Sequence, residues 1–180
     1  MSRVALLLAD GFEEVEALAV VDILRRANVS VDMVSIKQEM VVVSSRKIAM
    51  RADKTFEDMD HYEMVVLPGG LPGAATLRDD ERVNTLLKSY QAKGKKIAAI
   101  CAGPMALGTS GVIKGKHVTS YPDETTKSFL KEGLYEEQDV VVDGNIITSR
   151  GPATAFAFAY ALLRELGVEP TELKQKMLYK

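Results

Sequence analysis

Apolar residues along this chain fall into short continuous runs separated by stretches of helical spacing. RVALLLA (3–9) is apolar at every position after its arginine. A run that uniform fits a strand buried on both faces, as parallel strands are. In EEVEALAVVDILRRAN (13–28) the period changes: Val15, Leu18, Ala19, Asp22 and Ile23 follow i, i+3, i+4 spacing, which predicts a helix. Its acidic first turn and its Arg25–Arg26 end complement the helix dipole. VSVDMVSI (29–36) reads as a second strand, and MVVVSS with KIAMRAD (40–53) as a hairpin or edge pair turning at 44–47. EMVVLPGG (63–70) is a strand, DERVNTLLKSYQAKG (80–94) a helix stopped by glycine, and KKIAAIC (95–101) a strand. A short helix opens at Gly103, HVTSYP (117–122) is a strand, and TTKSFLKEG (125–133) is a helix. DVVVDGNIITS (139–149) is a hairpin turning at Asp143–Gly144. PATAFAFAYALLRELG (152–167) is a helix with proline near its first turn and glycine after its last.

This alternation predicts an α/β sandwich, a mainly parallel sheet flanked by helices, as one domain over residues 1–180. In such sheets the site lies beyond the carboxyl ends of the strands. Three of those ends carry unusual loops: ADGFEEVE, LPGGLPGA and ICAGP.

Composition narrows the function. The formal net charge is −2 and no long basic stripe is present, which argues against sequence-specific nucleic-acid binding. No apolar run approaches the ~20 residues of a membrane span. The N-terminal run reads as a first strand rather than a signal peptide. One cysteine makes no internal disulfide, so a reducing compartment such as the cytoplasm is expected. One cysteine and two scattered histidines make no zinc cluster, and no metal or cofactor is expected.

The lone thiol, Cys101, ends an apolar strand and enters a Cys-Ala-Gly-Pro turn. Free cysteine is commonly a small buried hydrophobe. A strand, a tight turn and then a helix instead resemble a nucleophile elbow, where backbone N–H groups lower a thiol pKa. In LPGGLPG, glycines permit close backbone approach, and the N–H groups of Gly70 and Ala102 can form an oxyanion hole; an ordinary tight turn explains the same residues. Glu13 and Glu14 fit dipole complementation at a solvated helix end. Glu16 stands among apolar neighbours, where a buried carboxyl has a raised pKa and can exchange a proton.

The motifs DGFEEVEALAVVDILRRA, SSRKI, VVLPGG, AAICAGPMAL and IITSRGPATAFAFA run through nearly the whole chain. On them the sequence resembles the ThiJ/PfpI superfamily (the DJ-one family), in the branch of the parkinsonism-associated deglycase. The resemblance implies a flavodoxin-like sandwich, similar to class I glutamine amidotransferases, and usually a homodimer. It implies that Cys101 is the reactive cysteine and Glu16 its carboxylic acid partner, with Gly70 and Ala102 as backbone donors beside Gly69. Arg26 and Arg46 match arginines near the dimer interface and site mouth, and Arg150 and Pro152 lie in the loop beside the site. Two departures matter. Tyr121 stands where some relatives carry histidine, and can donate to substrate or face solvent. Ala102 stands where the protease-like branch has histidine, which disfavours Cys-His peptide hydrolysis. The implied activity is a cysteine-dependent, cofactor-independent glyoxalase or deglycase. Its substrates would be methylglyoxal or early glycation adducts on protein or nucleotide amines. The alternative is a redox sensor whose cysteine is oxidised to sulfinic acid during oxidative stress; a surface-acting chaperone ranks last.

Overall fold

The computed structural model describes residues 3–180. A seven-stranded sheet is built from β1 (Arg3–Leu8), β2 (Ser30–Ser35), β5 (Lys54–Thr55), β6 (Met64–Leu67), β7 (Lys96–Ile100), β10 (Val140–Asp143) and β11 (Ile146–Ser149). Its order is β10-β11-β7-β6-β1-β2-β5. Every pairing is parallel except β10 with β11, joined by the Asp143–Gly144 turn. Two small sheets pair β3 (Val41–Val43) with β4 (Ala49–Arg51), and β8 (His117–Val118) with β9 (Leu134–Tyr135).

The continuous apolar runs are explained by burial on both faces. Successive side chains of a strand point to opposite sides. Val4, Leu6 and Leu8 therefore enter one core with Val66, Ala98 and Ile100, under α1 (Glu14–Arg26) and α6 (Ala155–Glu165). Ala5 and Leu7 enter the other with Val65, Leu67, Ile97 and Ala99, under α3 (Glu81–Ala92) and α4 (Pro104–Ser110).

Several boundaries differ from the sequence reading. A helix, α2 (Gly73–Asp79), follows LPGG where a loop was expected, and α7 (Thr171–Lys176) packs Leu173 against the first core. The TTKSFLKEG helix is only α5 (Glu124–Ser128). HVTSYP pairs at His117 and Val118 alone. Its last residues leave that ladder because Tyr121 N–H donates to the Cys101 carbonyl (2.9 Å) instead. On α1 the inward face holds Glu16, Ala17, Val20, Ile23 and Leu24, whereas Val15 and Leu18 point outward, 46% and 40% exposed. The helix thus carries apolar residues on two faces, and its sequence period alone did not say which one enters the core.

Candidate active site

Strands β1, β6 and β7 end at one edge, and the three unusual loops meet there. Cys101 follows β7 with φ +63°, a left-handed conformation costly for a residue with a Cβ. It is held there by hydrogen bonds. Its N–H donates to the Ser149 carbonyl at 3.0 Å, and its carbonyl accepts from Tyr121. The next turn needs glycine for space: a Cβ on Gly103 would lie 2.4 Å from the Leu67 carbonyl oxygen. The thiol is partly exposed.

Glu16 has no exposed surface. It stands in the first turn of α1, whose start is fixed by Glu13: the Glu13 carboxylate accepts from Glu16 N–H (2.8 Å). Glu13 and Glu14 are themselves buried, contrary to the solvated end expected for them. Glu14 accepts a hydrogen bond from Ser45 Oγ at 3.2 Å. Glutamate is not among the residues that commonly cap a helix, so the sequence did not single out Glu13 for this role.

The Glu16 carboxyl accepts from Gly69 N–H at 2.7 Å. A Cβ on Gly69 would lie 2.6 Å from Cys101 Cβ and 2.7 Å from Glu16 Oε2. Glycine there is what lets acid and thiol meet. Gly70, at φ +85°, packs equally closely on the Gly11–Glu13 backbone, and Glu13 N–H donates to the Gly69 carbonyl at 2.9 Å. The second Glu16 oxygen has no hydrogen-bond partner, so the thiol lies within electrostatic reach without a well-aligned bond.

Burial raises the Glu16 pKa from 4.5 to about 7. The Cys101 thiol and Gly69 N–H pull it down, and Glu13 pushes it up. Burial also raises the Cys101 pKa, and the Glu16 charge raises it further, against the N–H groups of Ala102 and Gly70. The lowered thiol pKa expected from the elbow is therefore reversed, first by burial and further while Glu16 is ionised. The two groups form one coupled unit. Protonating Glu16 removes the charge that holds the thiol up and creates an O–H donor facing it.

Tyr121, Arg150 and Pro152 line a cavity of about 230 Å³, whose wall is joined to the Cys101 carbonyl through Tyr121 N–H. Tyr121 is 46% exposed. Arg46 donates to Ser45 Oγ at 2.9 Å, and Ser45 N–H to the Phe12 carbonyl at 2.8 Å, which places Arg46 beside the DGFEE loop. Arg26 is not at the mouth. It ends α1 about 15 Å of helix rise from Glu16 and pairs with Asp22 at 2.8 Å on an exposed surface. Sequence reasoning missed the Ser149 carbonyl; no residue type announces a backbone acceptor.

Glu16 also sets a stability window. Its folded pKa lies above the ordinary value, so its stabilising contribution is complete below about 4.5 and is lost as pH rises through about 7. The loss amounts to about 3 kcal/mol. Glu16→Gln keeps an acceptor for Gly69 N–H and cannot ionise. In urea unfolding at pH 4.5 and pH 8, the wild type should lose about 3 kcal/mol relative to this variant. Parallel pH dependences of the two proteins would contradict the buried acid.

Residues 2–165 match the model of the DJ-1/PfpI family. Protein dj-1beta of Drosophila melanogaster is 40% identical over 92% of this chain and 90% of its own. The glutathione-independent glyoxalase DJ-1 of Schizosaccharomyces pombe is 34% identical over 92% of each. The chain spans only 36% of Protein DJ-1 homolog B of Arabidopsis thaliana, at 38% identity. The crystal structure of Drosophila melanogaster DJ-1beta superposes with a TM-score of 0.92 at 37% identity, covering 100% of both chains. A protonatable acid against a strained thiol, at the edge of a parallel sheet, thus stands on a matching backbone, and the chain belongs to the DJ-1/PfpI family.

Proposed function

We propose that this protein is a cysteine-dependent glyoxalase or deglycase needing no cofactor. Its substrates in this reading are methylglyoxal or early glycation adducts on protein or nucleotide amines. The observation that carries the proposal is the fully buried Glu16 carboxyl, with a pKa near 7, directly against the partly exposed Cys101 thiol. A group of that pKa both gives and takes protons at neutral pH. The similarity to the fission-yeast glyoxalase supports the same reading.

The Cys101 sulfur adds to the aldehyde carbon, the C=O π bond opens, and the thiol proton reaches the new hydroxyl through Glu16. The N–H groups of Gly70 and Ala102 bear on the oxygen as it gains charge. Glu16 then takes the proton from the former aldehyde carbon and returns one to the adjacent carbon, while the hydroxyl proton on the first carbon passes to the ketone oxygen. The first carbon becomes a thioester as the ketone becomes an alcohol. Water cleaves the thioester, restoring the thiol and releasing lactate, or glycolate from glyoxal. Oxidation at one carbon is matched by reduction at the next, so no external redox agent enters. Peptide hydrolysis is not supported. Ala102 follows the cysteine, His61 stacks on Tyr62 (ring centroids 4.0 Å apart), and His117 pairs with Glu136.

A redox-sensing role in oxidative stress is the second reading. It is favoured by the same pair, because a protonated Glu16 and two backbone N–H groups can hold a sulfinate on Cys101. A reducing compartment, the cytoplasm, belongs to both readings, since it keeps the lone thiol free.

We also propose a homodimer formed through the outer face of α1. Val15 and Leu18 lie one turn apart there, and Ile48 and Phe156, exposed at 49% and 40%, stand on the neighbouring hairpin and helix.

Lactate formation from methylglyoxal should be abolished by Cys101→Ser and fall about 10²–10⁴-fold in Glu16→Gln; undiminished turnover in Cys101→Ser would refute covalent catalysis. Leu18→Glu should convert a dimer to a monomer in sedimentation velocity. A wild type that already sediments as a monomer would refute the interface.

A further inference from the structure

The cavity of about 230 Å³ between Tyr121 and the loop from Arg150 to Thr154 holds an unused cation. Its walls are tied to Cys101 through the backbone. Tyr121 N–H donates to the Cys101 carbonyl at 2.9 Å, and Cys101 N–H donates to the carbonyl of Ser149, the residue before Arg150. The lining is mainly apolar, from the Tyr121 ring, Pro122, Pro152 and Ala153. Arg150 is half-buried and makes no ion pair or side-chain hydrogen bond with any described residue. The larger cavity at the opposite edge of the sheet, about 400 Å³, offers a contrast. There Lys96 is paired with Glu165 at 2.8 Å, and Lys95 caps the Asp60 carbonyl.

A guanidinium partly withdrawn from water with nothing to bind favours an anion, and its planar fork fits a carboxylate. Asp139 lines the same cavity but is exposed and lies outside ion-pair distance of Arg150. It trims the positive field without satisfying the fork. The volume is below that of drug-sized sites, so the ligand is short. We propose that Arg150 binds a substrate carboxylate, making the site selective for short carbonyl compounds that carry a carboxylate over neutral ones. The proposal rests on the reading that Cys101 attacks a carbonyl carbon. In that step the S–C bond forms as the C=O π bond opens. The thiol proton passes to the former carbonyl oxygen, and the carboxylate stays unchanged on Arg150.

The test separates this assignment from turnover. Cys101 is alkylated with iodoacetate and with iodoacetamide, which differ in charge but deliver similar groups, and the rates are read by intact mass. The ratio of iodoacetate to iodoacetamide rates should fall about tenfold in Arg150→Met, the worth of one charge-assisted hydrogen bond. It should be largely kept in Arg150→Lys and rise in Asp139→Asn. In turnover, 4,5-dioxopentanoate should be preferred to methylglyoxal in kcat/KM, and Arg150→Met should lose that preference. An alkylation ratio equal in wild type and Arg150→Met overturns the assignment. A ratio that falls as expected, with neither dicarbonyl turned over, supports Arg150 as the anion site and overturns the glyoxalase reading instead.

Discussion

Glu16 is the residue around which this edge of the sheet is organised. Its carboxyl has no exposed surface, one oxygen on Gly69 N–H and the other without a hydrogen-bond partner. Removing a carboxylate from water is costly unless it is protonated or paired. The fold supplies one backbone donor and, among the described residues, no cation, so proton uptake near neutral pH is what relieves the burial. That one constraint links the pieces: it lowers stability at high pH, it raises the neighbouring thiol while Glu16 is ionised, and it places a proton where a reacting carbonyl needs one.

The arrangement depends on backbone approaching closer than side chains allow. Gly69 leaves the gap through which carboxyl and thiol meet, Gly70 packs on the Gly11–Glu13 backbone, and Gly103 seats the elbow against the end of β6. Cys101 itself bears the left-handed conformation, secured by bonds to Ser149 and Tyr121. These two partners tie the β8 region and the β11 end to the thiol, so the cavity wall and the nucleophile are positioned by the same ladder. Strain at one residue is thus held by bonds to two other segments.

Much of this was legible in the chain. Uniform apolar runs such as VALLLA signal strands buried on both sides, and the two cores divide each run by alternate residues as the pleat requires. The three loops could be placed at one edge because parallel strands share a direction. Glu16 and Cys101 stood out by their apolar neighbours. What stayed hidden was tertiary. The period of α1 did not reveal that Val15 and Leu18 face outward, because the helix has apolar residues on two faces. Glu13 and Glu14 looked solvated until the β3–β4 hairpin closed over them through Ser45. Arg26 shares a helix with Glu16, but three turns of rise carry it away from the mouth. The elbow alone points the thiol pKa downward, whereas burial in the folded chain and the Glu16 charge from another segment raise it.

Everything at this site turns on Glu16 exchanging its proton near neutral pH. Carbon-13 NMR of the Glu16 side-chain carboxyl, followed across pH and identified by its absence in Glu16→Gln, reads this directly. The expected midpoint is near 7, together with a matching change at the Cys101 Cβ resonance. A midpoint near the ordinary 4.5, with no response at Cys101, would contradict it.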